Sequence, residues 1–209
     1  MDTNWAGSIM QMLDKAVKLV WMNCLWVIFT LIGGIVLGVM PATASVSFLV
    51  RKMIKNEEIE NVFQEFWKYY KNSFKSSNII GLSFWVVGLF LFVDITFLIQ
   101  MEGMIAKVLL IGVFVLLFVF LGVLLNFFPI YSRFEMKIME YIKLAFVMAM
   151  TRPVTTVFMV LWLCVVTILS IEFSVIIPLL FNVLIILGIN WLSIVRIEKK
   201  DYELISYNK

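Results

Sequence analysis

The sequence predicts an all-α protein, a polytopic transmembrane helical bundle of about five spans with two amphipathic helices at the cytoplasmic face. Three observations predict this fold class. Of the 209 residues, 63% are hydrophobic and only 15% are charged, whereas a soluble domain is closer to half apolar and a quarter charged. The mean hydropathy is +1.02. Long uncharged runs extend along the whole chain without a polar linker, so we expect a single integral membrane domain over residues 1–209.

The uncharged runs predict where the spans lie. They are apolar at every position rather than at alternate positions, which favours helices over the strands of a membrane barrel. A helix needs about 20 apolar residues to cross about 30 Å of hydrocarbon. The predicted spans lie near residues 19–40, 76–99, 108–131, 153–171 and 173–195.

The first uncharged run is too long for one straight crossing. Residues 19–50 contain no charge over 32 positions, which would make a helix of about 48 Å. Pro41 removes a backbone donor and kinks or restarts a helix. We therefore expect one crossing that ends near Met40, followed by a short helix from Pro41. The alternative is a tight hairpin or re-entrant loop at Gly33 and Gly34.

The distribution of lysine and arginine predicts the orientation in the membrane. Loops 51–75 and 133–152 hold ten of the 17 basic residues, and basic residues in short loops mark the cytoplasmic side. We expect a multi-pass cell-membrane protein with both loops and the C-terminus in the cytoplasm. Five crossings place the N-terminus outside, which conflicts with Lys15 and Lys18 because basic residues favour the cytoplasmic side. A hairpin in the first run would return these lysines to the inside.

The two long basic loops also carry helical patterns. Asn56, followed by Glu57 and Glu58, predicts a helix start with a capping side chain and acids near the positive end of the helix dipole. Apolar residues then recur at helical spacing, and they are Ile59, Val62, Phe63, Phe66, Tyr70 and Phe74. A second amphipathic helix is predicted from Arg133. We expect both to bind membrane lipid at the inner face, with docking of a partner protein as the alternative.

The residue types that carry most enzyme chemistry are absent or scattered. The chain has no histidine and only two cysteines, which lie far apart in sequence, so we expect no catalytic residue, no metal site, no cofactor and no enzymatic activity. A net charge of +3 without a dense basic patch excludes nucleic acid as the expected partner. Gly34 and Gly38 have the GxxxG spacing that permits close helix contact, a weak signal for a homo-oligomer.

Polar residues inside the predicted spans are candidate functional or helix-contact positions, because polar groups are costly in hydrocarbon. They are Asn23, Asn126, Asn182 and Asn190, with Asp94 as the acid near a hydrophobic run. One hypothesis is that these residues line the solute pathway of a transporter. Alternatively, the asparagines form hydrogen bonds between helices and Asp94 lies at the outer interface.

A set of residues in the first half of the chain resembles the YesL-like family of small integral membrane proteins of Gram-positive bacteria. The resemblance lies in N-x-x-W (Asn23 to Trp26), P-A-T-A (Pro41 to Ala44, with Thr43), R-K (Arg51 and Lys52) and F-W-K-x-Y-K (Phe66 to Lys71). Members of the family tend to be found alongside sugar-uptake transporters and polysaccharide-degrading enzymes. The resemblance therefore implies an accessory role in carbohydrate uptake or its sensing, with a transporter permease or a sensor kinase as the partner. The alternative is a small solute transporter in its own right.

Overall fold

A computed structural model describes residues 5–173 and 176–197, and in these residues it contains helices and no strand. The helices are α1 (Trp5–Ile32), α2 (Val36–Ile54), α3 (Val62–Ile99), α4 (Met104–Tyr131), α5 (Ile138–Thr151), α6 (Pro153–Glu172) and α7 (Ile176–Ile197). Five of them (α1 to α4 and α6) are long and apolar enough to cross a membrane, and the apolar part of α7 is shorter. The prediction of an all-α bundle with about five potential spans is confirmed. The predicted span 173–195 corresponds to α7, apart from residues 174 and 175, which lie outside the described ranges.

The first uncharged run folds as two helices that meet at its glycines. Helix α1 ends at Ile32 and α2 begins at Val36, and Gly34 and Ile35 between them have φ values of 72° and 63°. Pro41 lies inside α2, so the prediction of a crossing that ends near Met40 and a helix that starts at Pro41 is wrong. Glycine adopts a positive φ without steric cost, whereas the proline removes a single bond from the helical ladder.

Helices α1 and α2 form an antiparallel hairpin, which we call the α1–α2 hairpin. The Lys15 ammonium donates a hydrogen bond of 3.1 Å to the Asn56 side-chain oxygen, so the first half of α1 lies beside the loop that follows α2. The predicted placement of Lys15 and Lys18 opposite the first basic loop is therefore wrong. Lys15 and Lys18 on α1 lie near the end of α2 that carries Arg51 and Lys52.

Helix α3 runs unbroken for 38 residues and combines the first amphipathic pattern with the second predicted span. It starts at Val62 and not at Asn56. The Asn61 side chain accepts a hydrogen bond of 3.1 Å from the Gln64 amide and caps the helix, whereas Asn56 occupies a turn with a φ of 53°. The aromatic face packs against the α1–α2 hairpin, with Phe66 fully buried, so this segment continues into the span instead of lying separately on the lipid surface.

The second amphipathic pattern forms a separate helix, α5, which starts at Ile138 rather than at Arg133. The Glu140 carboxylate accepts a hydrogen bond of 3.0 Å from the Lys137 amide at the start of this helix. The Tyr141 hydroxyl donates to the Phe134 carbonyl at 2.6 Å and accepts from the Met136 amide at 3.0 Å. Burial raises the pKa of Tyr141. The hydroxyl therefore remains a protonated donor that fixes the link between α4 and α5.

Burial is concentrated at the end of the bundle that carries the basic loops. On α3 the buried residues lie between Val62 and Phe84, with Leu91 as the exception. On α4 they lie between Gly122 and Tyr131, apart from Ala106. The other halves of both helices expose apolar side chains. Other elements therefore cover α3 and α4 mainly over the half that is nearer the basic loops.

Candidate functional site

The α1–α2 hairpin is closed by a hydrogen bond between two of the candidate residues. The Trp26 indole nitrogen on α1 donates to the Thr43 hydroxyl on α2 at 2.9 Å, and that hydroxyl donates to the Val39 carbonyl at 2.7 Å. Thr43 is buried. Its hydroxyl therefore serves as an acceptor between helices and as a donor within α2, which satisfies a polar group in apolar surroundings.

Asn23 connects the same face of α1 to the last helix. Its side chain is 1% exposed, and its oxygen accepts a hydrogen bond of 3.2 Å from the Val183 amide on α7. Asn23 lies almost one helical turn before Trp26, so the two side chains bind different neighbours from adjacent positions on α1. The N-x-x-W pattern thus joins α1 to α7 and to α2.

A second polar contact, which we call the Ser47 junction, joins three helices. The Asn190 side chain on α7 donates to the Ser47 hydroxyl on α2 at 3.0 Å and to the Ile186 carbonyl at 2.9 Å. The Ser47 hydroxyl donates to the Phe128 carbonyl on α4 at 3.2 Å. Ser47 is 0% exposed and Asn190 is 1% exposed. Sequence reasoning singled out Asn190 as a polar residue in a span but missed Ser47, a small residue in an apolar run.

The other candidates do not join this network. Pro41 is buried in α2, where its carbonyl accepts from the Ser45 hydroxyl at 2.7 Å. Asn126 is buried and donates to the Gly122 carbonyl of its own helix at 2.8 Å. Asp94 is exposed on the half of α3 that is remote from the basic loops. The structure therefore brings Asn23, Trp26 and Thr43 together and leaves Asp94 and Asn126 apart.

An aromatic cluster holds α3 against the hairpin. The Phe29 ring on α1 contacts four aromatic rings of α3, with centroid distances between 5.1 and 6.2 Å, and these rings belong to Phe63, Phe66, Trp67 and Tyr70. The Tyr70 hydroxyl donates to the Phe29 carbonyl at 3.2 Å. The F-W-K-x-Y-K segment is therefore the surface of α3 that receives α1, a role the sequence pattern assigned to lipid or a partner.

A charged hollow of about 650 Å³ lies at the base of the hairpin, between the first half of α1 and the loop after α2. Its lining includes Asp14, Lys15, Lys18, Glu57 and Glu58. The Lys18 ammonium and the Asp14 carboxylate form an ion pair at 2.7 Å. The hollow thus presents charges of both signs at the end of the bundle where the basic loops lie.

A further ion pair fixes the register of α3 on α2 near the same end. The Lys52 ammonium lies 2.8 Å from the Glu65 carboxylate, and both side chains are less than one quarter exposed. Together with the hydrogen bonds of Trp26 and Ser47, this contact holds helices in place. Hydroxyl, amide and indole groups bonded in this way are suited to helix association in an apolar medium.

Part of the chain is similar in sequence to known proteins. The family described as "Protein of unknown function, DUF624" matches residues 19–95, which span the end of α1, all of α2 and most of α3. Uncharacterized protein YesL of Bacillus subtilis is 36% identical over 143 residues, which is 68% of this chain. Uncharacterized proteins YteU and YesV of the same organism are 29% and 28% identical over stretches of the same length.

The matched stretch covers 66% of YesL, 64% of YteU and 69% of YesV. The chain therefore spans just under two thirds of the length of the first two relatives. No solved structure matches the chain. The match to DUF624 covers the hairpin and the helix packed on it, and the identity to YesL extends over two thirds of the chain. The chain therefore belongs to the YesL-like family, whose function is unknown.

Proposed function

We propose that this protein is a non-enzymatic membrane component that acts by binding another membrane protein, either a permease or a sensor kinase of carbohydrate uptake. The observation that carries the proposal is the use of polar side chains inside the bundle. Trp26, Thr43, Ser47 and Asn190 bond to one another or to backbone atoms. These four side chains are committed to helix packing and are unavailable to line a solute path, which favours a binding role over transport.

The charged hollow is the surface that we assign to the partner. It lies outside the apolar part of the bundle, and Asp14, Lys15, Glu57 and Glu58 provide charges of both signs. Complementary charges steer association and fix the orientation of a partner more than they add affinity. Because residues of α1, Met53 of α2 and the loop after α2 line the hollow, a bound partner would contact both arms of the hairpin.

The carbohydrate class of the partner rests on the YesL-like family and not on the geometry of the site. Its members accompany sugar-uptake transporters, so a permease or sensor of the same uptake system is the partner that we propose. The small-transporter alternative makes a different prediction. Purified protein in liposomes would then carry sugar by itself.

Affinity purification of the native protein in a gentle detergent, read by mass spectrometry, tests the proposal. We expect a sugar permease or a sensor kinase to co-purify with the unaltered chain. Glu58→Lys reverses a charge in the hollow and should remove the partner. Glu60→Lys is the matched control, because Glu60 is exposed on the same loop but does not belong to the lining of the hollow.

Three results would contradict the proposal. One is repeated purification of the chain without a permease or kinase. Another is equal recovery of the partner with both lysine variants, which would exclude the hollow as the docking surface. The third is sugar flux into liposomes that contain this protein alone, which would favour the transporter.

A further inference from the structure

The position of the α1–α2 hairpin along α3 indicates how deep it reaches. Helix α2 runs antiparallel to α3, because Lys52 pairs with Glu65 near one end and Met40 packs against Gly81 near the other. From Gly81, α3 continues for 18 residues to Ile99, which is about 27 Å. From Met40, the hairpin has only six residues left before Gly34, which is about 9 Å. The turn therefore stops at least about 18 Å short of the far end of α3, and its Gly33 lies beside the Tyr70 hydroxyl, still nearer the basic loops.

The basic residues lead to a similar conclusion. Fifteen positions separate Arg51 from Val36 at the start of α2, which is about 22 Å. Lys75 lies 25 positions before Gln100, the residue that follows α3, which is about 37 Å, and Asp94 is the one charged residue between them. A hydrocarbon layer is about 30 Å thick. Measured from its last lysine, α3 is long enough to cross this layer. Helices α1 and α2 have the length of a span as whole helices, but the part of α2 from Arg51 to Val36 is shorter than the layer.

The turn itself has the surface of a segment that lies in hydrocarbon. Its outward side chains are apolar and more than half exposed, and they belong to Leu31, Ile32, Ile35, Val36 and Leu37. The amides of Gly33, Gly34, Ile35 and Val36 all donate to carbonyls between Phe29 and Gly34. Backbone donors inside a bilayer must be satisfied within the protein, and these turn amides meet that requirement.

We infer that the α1–α2 hairpin is re-entrant: it enters the membrane from the side of the basic loops and turns within the hydrocarbon, where lipid acyl chains surround its tip. Helices α3 and α4 continue past the tip, and their exposed apolar side chains face the same lipid. A turn at the far aqueous surface would instead expose five large apolar side chains to water. Burying one such side chain contributes about 1.5 to 3 kcal/mol.

Spin labels at the tip test the depth. Single cysteines replace Ile32 and, in a second protein, Leu37, after the native Cys24 and Cys164 are changed to alanine. The labelled proteins are reconstituted in vesicles of phosphatidylglycerol and phosphatidylethanolamine. Power saturation then compares collisions with oxygen, which concentrates in hydrocarbon, and with a nickel chelate, which stays in water. We expect both tip labels to favour oxygen several-fold over the nickel chelate.

Matched labels define the scale of depth. Phe90 is 67% exposed on the part of α3 beyond the tip, and a label there represents a helix surface in lipid. Glu102 is exposed in the turn between α3 and α4, and a label there represents the far aqueous surface. Tip labels that behave like Phe90 support the re-entrant hairpin. If the tip labels are as accessible to the nickel chelate as the label at Glu102, the re-entrant hairpin is excluded. It is also excluded if the tip labels are protected from both oxygen and nickel, because protein would then cover the tip. Because the measurement needs no partner, its outcome is independent of the proposed function.

Discussion

The Trp26 indole nitrogen on α1 lies 2.9 Å from the Thr43 hydroxyl on α2, and this hydrogen bond closes the hairpin across residues 17 positions apart in sequence. Both residues belong to the part of the chain that DUF624 matches. The contact gives these two positions a structural role, since it fixes how α1 lies on α2. Its strength can be measured separately from that of the surrounding apolar packing.

We expect Trp26→Phe and Thr43→Val to destabilise the protein and to be coupled to each other. A hydrogen bond between membrane helices contributes about 0.6 kcal/mol on average and about 1.7 kcal/mol at most, and the coupling energy should fall in this range. A double-mutant cycle of unfolding in mixed detergent micelles measures it. Thr96→Val is the control, because the Thr96 hydroxyl bonds only to carbonyls of its own helix on an exposed face. A coupling energy of zero would exclude the bond.

Ser47→Ala tests the Ser47 junction by deleting a single oxygen atom. The Asn190 amide and the Phe128 carbonyl both lose a partner in buried surroundings, so we expect a loss of about 1 kcal/mol in the free energy of unfolding. Ser83→Ala removes the same atom from an exposed serine that bonds to its own helix, and should have almost no effect. Equal losses in the two variants would show that the junction adds no stability.

Gly38→Ala tests the close approach of the two hairpin arms. The added methyl group would lie 2.7 Å from Thr30 Cα and 2.8 Å from the Phe29 carbonyl oxygen, so one helix must shift, at a cost of about 1 to 3 kcal/mol. Gly112→Ala is the matched control, because a methyl group there meets no atom within 4 Å. We expect a lower unfolding midpoint for the first variant and an unchanged or slightly raised midpoint for the second, because alanine favours a helix more than glycine does. Equal midpoints would contradict the contact between the hairpin arms.

Impermeant maleimide labelling tests the orientation. In a background without native cysteines, Glu102→Cys should react in intact cells, while Glu60→Cys should react only after the membrane is permeabilised. The reason is that Glu60 lies in a loop rich in lysine and arginine, and such loops remain in the cytoplasm. The reverse pattern would invert the orientation of the whole bundle.

The helices could be predicted from the sequence, because an apolar run of sufficient length has few alternatives to a membrane helix. The position of the break in the first uncharged run could not be predicted from the sequence. Both Pro41 and the pair Gly33 and Gly34 can interrupt a helix. The outcome depends on whether two backbones can approach closely, which involves Gly38 and Thr30 across the turn. That contact is tertiary and leaves no periodic signal in the run.

The hydrogen-bond partners of the candidate residues could not be predicted from the sequence either. Helical periodicity identifies the face on which Asn23 or Asn190 lies, but not the atom that faces it. Asn190 meets Ser47, 143 positions away, whereas Asn126 bonds to a carbonyl in its own helix. Residues of the same type in similar runs therefore have different roles, and the packing of α7 against α2 determines which of them connects helices.

Helix α3 extends for 38 residues without a proline, so it is a rod about 57 Å long whose two ends lie in different environments. One end carries the Asn61 cap and the aromatic cluster, and the other lies beyond the tip of the hairpin. A rotation of about 5° around the middle of such a rod moves each end by about 2.5 Å. Helix α3 is therefore long and continuous enough to carry a displacement from the charged end of the bundle to the opposite end without a hinge.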